Sequence, residues 1–318
     1  MSRSLPIIAA AALLATALVP VTARPAATPS PDRPALLARL PDGRRINLRC
    51  SGAGSPTVLL ESGYEGTSLA WYKVQPIVAK ITRVCAYDRA GLGFSDPGPL
   101  PRDGAAIAAD LDRALRAAHV AGPFVVVGHS AGGLYVRLFA DRRPHDVVGM
   151  VLVESSVEHQ DQAFARAFGP RAGSTQPLID HARACLAAAQ PGAARSADRA
   201  LVPCAAGPAG EWRTNLSEIQ TLFTTTSDEV ERGRRSYGAM PLVVLTAGDS
   251  YAGIPDAAAR QAVASFWAGL HQHLADMSSR GSAQLVPGAT HMIILDHPAA
   301  VAGAIDEVVV AARGAPAR

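Results

Sequence analysis

The most constraining stretch of the chain is Val125-Val126-Val127-Gly128-His129-Ser130-Ala131-Gly132-Gly133-Leu134-Tyr135-Val136. A run of β-branched residues stops at Gly-X-Ser-X-Gly, and residues suited to a helix follow at once. The bare pentapeptide arises often by chance; the strand before it and the helix after it give it meaning. A serine on so sharp a strand-to-helix bend sits in a strained backbone conformation, with chain close on both sides. Glycine is therefore the residue that fits at 128 and 132. The bend lifts the Ser130 hydroxyl above the strand end. It also puts the Ala131 N–H at a helix N-terminus, facing the point where an oxyanion would form.

The chain's 318 residues suffice for one large α/β domain or two small ones. With 48% hydrophobic and 18% charged residues it is globular, and a formal net charge of +3 implies no strong pull toward nucleic acid or an anionic membrane. Residues 1–23 read as a signal peptide: Arg3, an apolar run from Leu5 to Val19, then Val21-Thr22-Ala23 before a cleavage point. The run is short for a bilayer span, so no stable membrane span is expected after cleavage. Residues 24–33 form a proline-bearing flexible lead-in. A secreted or periplasmic protein meets oxidising conditions, so the four cysteines are expected to pair. Of three connectivities, Cys50–Cys85 with Cys185–Cys204 is preferred, because each pair lies within one segment. No Cys-X-X-Cys occurs, so neither zinc nor thioredoxin-like chemistry is expected.

Leu36–Leu40 and Arg45–Cys50 flank the turn Pro41-Asp42-Gly43 and predict a hairpin. Strands are predicted at Thr57–Glu61, Arg83–Tyr87, Phe124–Val127, Val147–Val153, Leu242–Ala247 and Ser282–Val286. Helices are predicted over Ser68–Lys80, over 103–118 (Ile107, Leu111 and Leu115 making one apolar stripe), from about Asp256 to Ser279, and over Pro298–Ala312. Near-continuous apolar strands alternating with helices argue for a parallel sheet covered on both faces. From about 155 to 240 the rhythm changes and reads as a helical insertion, a cap, within a domain spanning 34–318.

An activated serine needs a base in hydrogen-bond reach and an acid to orient that base. Of nine histidines, His291 alone stands on a glycine-containing loop directly after the final strand, in Val286-Pro287-Gly288-Ala289-Thr290-His291. His129 is the residue before the nucleophile; the others fall in helices, in the insertion or against Pro298. His271 and His273, two apart on a helix, point away from each other and do not suit a shared metal.

Four landmarks in order now stand out: Ser62-Gly63, Asp88-Arg89-Ala90-Gly91-Leu92-Gly93-Phe94-Ser95, Gly128-His129-Ser130-Ala131-Gly132 and Gly288 to His291. Over roughly Pro34 to Ala312 the chain resembles the α/β-hydrolases, esterase- and lipase-like members with a cap. The resemblance implies an α/β fold of eight mostly parallel strands with helices on both faces and a cap after the sixth strand. It implies an oxyanion hole from the backbone N–H groups of Tyr64 and Ala131. Ser62 departs from the pattern, since many relatives carry histidine there. For the acid two slots remain open. Asp249 follows the seventh strand but stands directly after Gly248, earlier than usual; Glu154 ends the sixth strand, where other relatives carry their acid, and is preferred. A serine at 130 argues against haloalkane dehalogenase or epoxide hydrolase chemistry, which uses a carboxylate nucleophile. Asp88 and Arg89 are expected to anchor a buried loop, and Trp71 and Tyr72 to pack in the core rather than line the pocket.

The expected function is thus an exported serine hydrolase acting on a small-molecule acyl substrate, without metal or organic cofactor. Two alternatives stand beside it. A proline-type aminopeptidase would need cap acids among Glu158, Asp161, Asp228, Glu229 and Glu231 to converge on the substrate amine. A non-catalytic binding protein of the same fold would usually lack the nucleophile or the base.

Overall fold

Eight strands form one sheet in the order β1-β2-β4-β3-β5-β6-β7-β8. They are β1 Leu36–Arg39, β2 Arg45–Ser51, β3 Thr57–Glu61, β4 Val84–Tyr87, β5 Phe124–His129, β6 Val147–Val153, β7 Leu242–Ala247 and β8 Gly281–Val286. The structure is a computed structural model and describes residues 30–193, 204–205, 207–233 and 236–314. The predicted signal peptide and most of the lead-in therefore lie outside the described residues.

The β1–β2 and β2–β4 pairings are antiparallel, and all others are parallel. Every residue of β3, β4, β5 and β7 is buried. That requires cover on both faces. Helices α1 (Gly104–Ala117) and α2 (Gly132–Arg142) bring Ile107, Leu115, Leu134 and Phe139 against Phe124 and Val126 on one face. Val125 and Val127, pointing the other way, meet Val301, Ile305 and Val308. Each buried side chain of this size contributes about 1.5–3 kcal/mol. A one-residue slip would turn a whole strand's apolar set to the wrong face, so the register is firmly held. Held register in turn fixes where the strand ends lie, and the site is built from strand ends.

Among the described residues, the helices between β6 and β7 include α3 Gln160–Phe168, α4 Gln176–Ala188, α5 Ala209–Leu222 and α6 Thr225–Arg232. They occupy the predicted cap. Helices α7 (Ala257–Ala275) and α8 (Pro298–Arg313) follow β7 and β8, with one helical turn at Ile293–Asp296 ahead of α8. Cys50 and Cys85, facing each other across β2 and β4, form a disulfide. Cys185 of α4 bonds Cys204, ahead of α5.

The predicted helix over Ser68–Lys80 is instead two short turns, a 3₁₀ turn at Ser68–Trp71 and one α-turn at Gln75–Val78. Pro76 has no N–H to give to Tyr72, so a continuous helix would lack that bond; Pro76 sits instead in the first turn of Gln75–Val78, where no such bond is needed. Trp71 is fully buried in the core, as expected, whereas Tyr72, expected there as well, is exposed, because the two adjacent residues of the turn face opposite ways.

Candidate active site

Ser130 has φ +53°, as the sharp bend requires. The glycines around it sit where no side chain has room. A Cβ on Gly128 would lie 2.5 Å from the Gly132 oxygen, and one on Gly132 would lie 2.6 Å from the Glu61 oxygen. Glu154 (φ +45°) and Glu65 (φ +60°), the residue after Tyr64, share this left-handed backbone. Strained non-glycine residues gathered at the ends of β3, β5 and β6 mark a place where the fold holds backbone away from its preferred conformations.

The structure brings Ser130 and His291 together: His291 Nε2 is 3.1 Å from Ser130 Oγ. The loop that carries His291 is pinned from both sides. Ala289, Ile293 and Ile294 are fully buried, and the Thr290 N–H donates to Asp296 at 2.8 Å. Packing around the ring holds His291 below the ordinary imidazole value, although one side of it faces solvent. Neutral imidazole is the form that accepts a proton.

His129, dismissed on sequence grounds because it precedes the nucleophile, has a part in this arrangement. Its Nε2 donates to the His291 carbonyl at 2.8 Å, which fixes the neutral Nε2–H tautomer. Burial, with the nearby His291 charge adding to it, brings its pKa down to about 4. The bond ties the bend of β5 to the loop after β8. No sequence signal connects residues 162 positions apart.

Glu154 is buried and lines the same cavity as Ser130 and His291. It accepts from the Ala247 N–H at 2.7 Å, from Trp267 Nε1 at 2.9 Å and from the Ser250 hydroxyl. Burial raises its pKa, and these three donors oppose the rise. A carboxylate has about four acceptor positions, so one remains open. No carboxylate is bonded to His291 Nδ1 among the described residues. Asp249 is exposed, does not line the cavity, and its side chain engages no partner among the described residues; its N–H holds the Ala289 carbonyl at 2.8 Å.

Tyr64 and Ala131 both border the cavity. Neither backbone N–H donates to a protein acceptor among the described residues. The cavity, of about 350 Å³, is closed above by Leu178, Ile219, Leu222 and Phe223 of the cap helices. A second, apolar cavity of about 320 Å³ adjoins it, lined by Phe164, Phe168, Tyr251, Ile254 and Val263. The two share Gln160, Gly173 and Tyr251 on their walls.

The cap acids do not converge. Glu158 pairs with buried Arg137 at 2.5 Å, Glu229 accepts from the Ala105 N–H at 2.8 Å, and Asp228 and Glu231 flank His159. None of these, nor Asp161, borders the cavity beside Ser130. Among the described residues, two groups place potential metal-ligand atoms within 4.8 Å of one another. In the first, the sulfurs of Cys185 and Cys204 are joined to each other, so His181 has no thiolate partners there. The second, His159 with Asp228 and Glu231, lies at the surface of the cap.

Residues 56–176 match the family model described as alpha/beta hydrolase fold. An uncharacterized protein of Bacillus subtilis (strain 168), YqjL, is 25% identical over 260 residues, covering 81% of this chain and 85% of that protein. Other curated relatives are matched over a smaller part of their length, the chain spanning 18% of one and 34% of another. Among solved structures, the epoxide hydrolase CorEH superposes with a TM-score of 0.59 at 18% identity, over 87% of this chain and 98% of that one. A putative lipase from Acinetobacter baumannii AYE gives 0.61 at 17% identity, over 85% and 89%. Sheet order, family model and structural neighbours agree: the chain has the α/β-hydrolase fold.

Proposed function

We propose that the protein is an exported serine hydrolase that cleaves an ester or similar acyl bond. The observation that carries this reading is the 3.1 Å contact between His291 Nε2 and Ser130 Oγ on the strained bend. It falls within the distance at which a base takes a proton from a nucleophile.

Ser130 Oγ attacks the acyl carbon as its proton passes to His291 Nε2. The carbonyl oxygen, now carrying the negative charge, receives hydrogen bonds from the Tyr64 and Ala131 N–H groups. Collapse breaks the bond to the leaving alcohol, which departs with the proton from His291 and leaves an acyl-serine. Water then attacks that ester through the same base. Its proton goes to His291 and on to Ser130 as the acid is released. Glu154 is the acid in this reading, favouring the imidazolium from the cavity wall; Asp249, out at the surface, is the poorer choice. None of these steps calls for a metal or organic cofactor.

The apolar side cavity favours a substrate with an aliphatic or aromatic arm beside the scissile bond. The aminopeptidase reading lacks its amine-holding acids, because none of the five cap candidates lines the cavity. A non-catalytic binding role is disfavoured by the paired nucleophile and base. Two disulfides accord with an oxidising compartment outside the cytoplasm.

A fluorophosphonate probe and a series of chromogenic esters of increasing chain length, run beside a prolyl anilide, test the proposal. Labelling and ester turnover that both vanish in Ser130→Ala are the expected result. A folded protein that is neither labelled nor active on any ester, or that prefers the anilide, would reject it.

A further inference from the structure

The Ala131 N–H is aimed by the bend that carries Ser130, but nothing local aims the Tyr64 N–H with comparable firmness. Its loop, Ser62 to Gly66, has one internal backbone bond, from the Gly66 N–H to the Gly63 carbonyl at 3.0 Å. The Ser62 hydroxyl adds a bond to the Thr67 carbonyl at 2.7 Å, and Arg89 holds the Ser62 and Gly63 carbonyls. This side chain is 1% exposed and commits all five of its N–H donors. Nε and Nη2 grip the two carboxylate oxygens of Glu218, in the cap helix α5, at 2.9 Å each. Nη1 donates to Glu61 of β3 at 3.0 Å and to the Ser62 carbonyl at 2.8 Å. The second Nη2 hydrogen goes to the Gly63 carbonyl at 2.9 Å. The Tyr135 ring stacks against the guanidinium at 5.4 Å, and Tyr87 donates to the other oxygen of Glu61.

The Gly63 carbonyl and the Tyr64 N–H belong to one peptide group. In a planar trans peptide the C=O and the N–H point to opposite sides. A donor that holds the carbonyl on one side therefore directs the N–H to the other, and Tyr64 borders the reaction cavity there. The loop also lies hard against the nucleophile: a Cβ on Gly63 would be 2.9 Å from Ser130 Cβ. A small rotation of this peptide would point the donor away from the oxyanion.

We propose that Arg89 is the positioning residue of the oxyanion hole, holding the Gly63 carbonyl so that the Tyr64 N–H faces the reaction centre, with Glu218 of the cap and Glu61 of β3 fixing the plane of its guanidinium. The proposal rests on the acyl-transfer reading above and deepens it. The cap thereby has a second task. Its α5 helix closes the cavity and, through Glu218, also orients a donor that it never touches. Lysine would keep the charge but lose the planar fork that serves two carboxylates and two carbonyls at once.

The test compares wild type, Arg89→Lys and Glu218→Gln on one chromogenic ester and on an alkyl trifluoromethyl ketone, which adds to the serine and places an oxyanion in the hole. Folding is followed by circular dichroism. In Arg89→Lys, kcat should fall by about 10²–10³-fold, the loss associated with one oxyanion donor, and ketone affinity should fall in step. KM should stay within about threefold, because the substrate carbonyl carries little charge before attack. Glu218→Gln should show the same pattern at about tenfold. A folded Arg89→Lys with kcat within about threefold of wild type overturns the proposal, as does a loss that weakens substrate and ketone equally. Should Arg89→Lys not fold, Glu218→Gln decides: unchanged kcat overturns the proposal. An active, fluorophosphonate-labelled wild type with an insensitive Arg89 sinks this inference alone. An unlabelled, inactive wild type sinks the acyl-transfer reading and this inference with it.

Discussion

The two backbone donors beside Ser130 are held in different ways. Ala131 follows Ser130 directly, and its N–H is oriented by the bend, by the helix that begins at Gly132 and by glycines with no room for a Cβ. Every part of that support lies within a few residues of sequence. Tyr64 is supported by Arg89, 25 residues on, and by Glu218, a further 129 residues on in the cap. A short strained bend can fix a peptide plane by covalent geometry alone, whereas a loop with one internal bond needs side chains brought from elsewhere. The comparison says where damage should be local and where it should reach the site from a distance.

The largest effects should come from the bend itself. Ser130→Ala should lower kcat by about 10⁴-fold or more and abolish fluorophosphonate labelling, since no other group can form the acyl intermediate. Glu154→Gln keeps the shape of the side chain but removes its charge, and kcat should fall by about 10²-fold. The matching change Asp249→Ala should leave kcat within about threefold; the reverse order of the two would hand the acid role to Asp249. Gly128→Ala would force a methyl to 2.5 Å from the Gly132 oxygen. It should destabilise the fold by about 1–3 kcal/mol or more in urea unfolding, with activity falling alongside.

The remaining prediction concerns pH. His291 must be neutral to accept the serine proton, and burial favours its neutral form. Activity should rise with pH as the imidazole loses its proton, with a kcat/KM midpoint below about 6.5. A midpoint above that value would mean a carboxylate bonds the ring in solution more closely than the structure shows. His129 and His271, both brought down to about 4 by burial, add a stability effect of defined sign. The unfolded chain takes up protons at these residues below about 6.5 while the folded chain does not. Stability should therefore fall as pH drops from about 6.5 toward 4. A protein as stable to urea at pH 4.5 as at pH 7 would contradict the buried neutral histidines.

Much of the fold could be read from the sequence because burial on both faces leaves a simple trace. Apolar runs such as Val125–Val127 and Leu242–Leu245 are strands covered on two sides, and the stripe Ile107, Leu111, Leu115 is a helix lying on them. The same reading failed at Ser68–Lys80, where Pro76 turned one predicted helix into two short turns. At the site, Ser130 and His291 stood out because the bend and the loop after β8 each carry a local signature. Glu154 was a choice between two strand ends that sequence could name but not rank by environment. Trp267 and Ser250, which bond it, have no local mark. Arg89 drew attention only as a loop anchor beside Asp88, yet the two side chains serve different partners: Asp88 takes Asn47, Ser68 and Phe94.

By itself, then, the amino-acid sequence determined the strands, the strained serine bend and the loop histidine, because each depends on backbone geometry and solvent exclusion over a handful of neighbouring residues. Tertiary structure alone decided which carboxylate shares the cavity, that His129 grips the His291 carbonyl, and that a cap glutamate reaches Arg89 behind the Ser62–Gly66 loop. Hydrogen bonds act over about 3 Å of space whatever the separation along the chain, so those pairings exist only once the sheet has set its strand ends side by side.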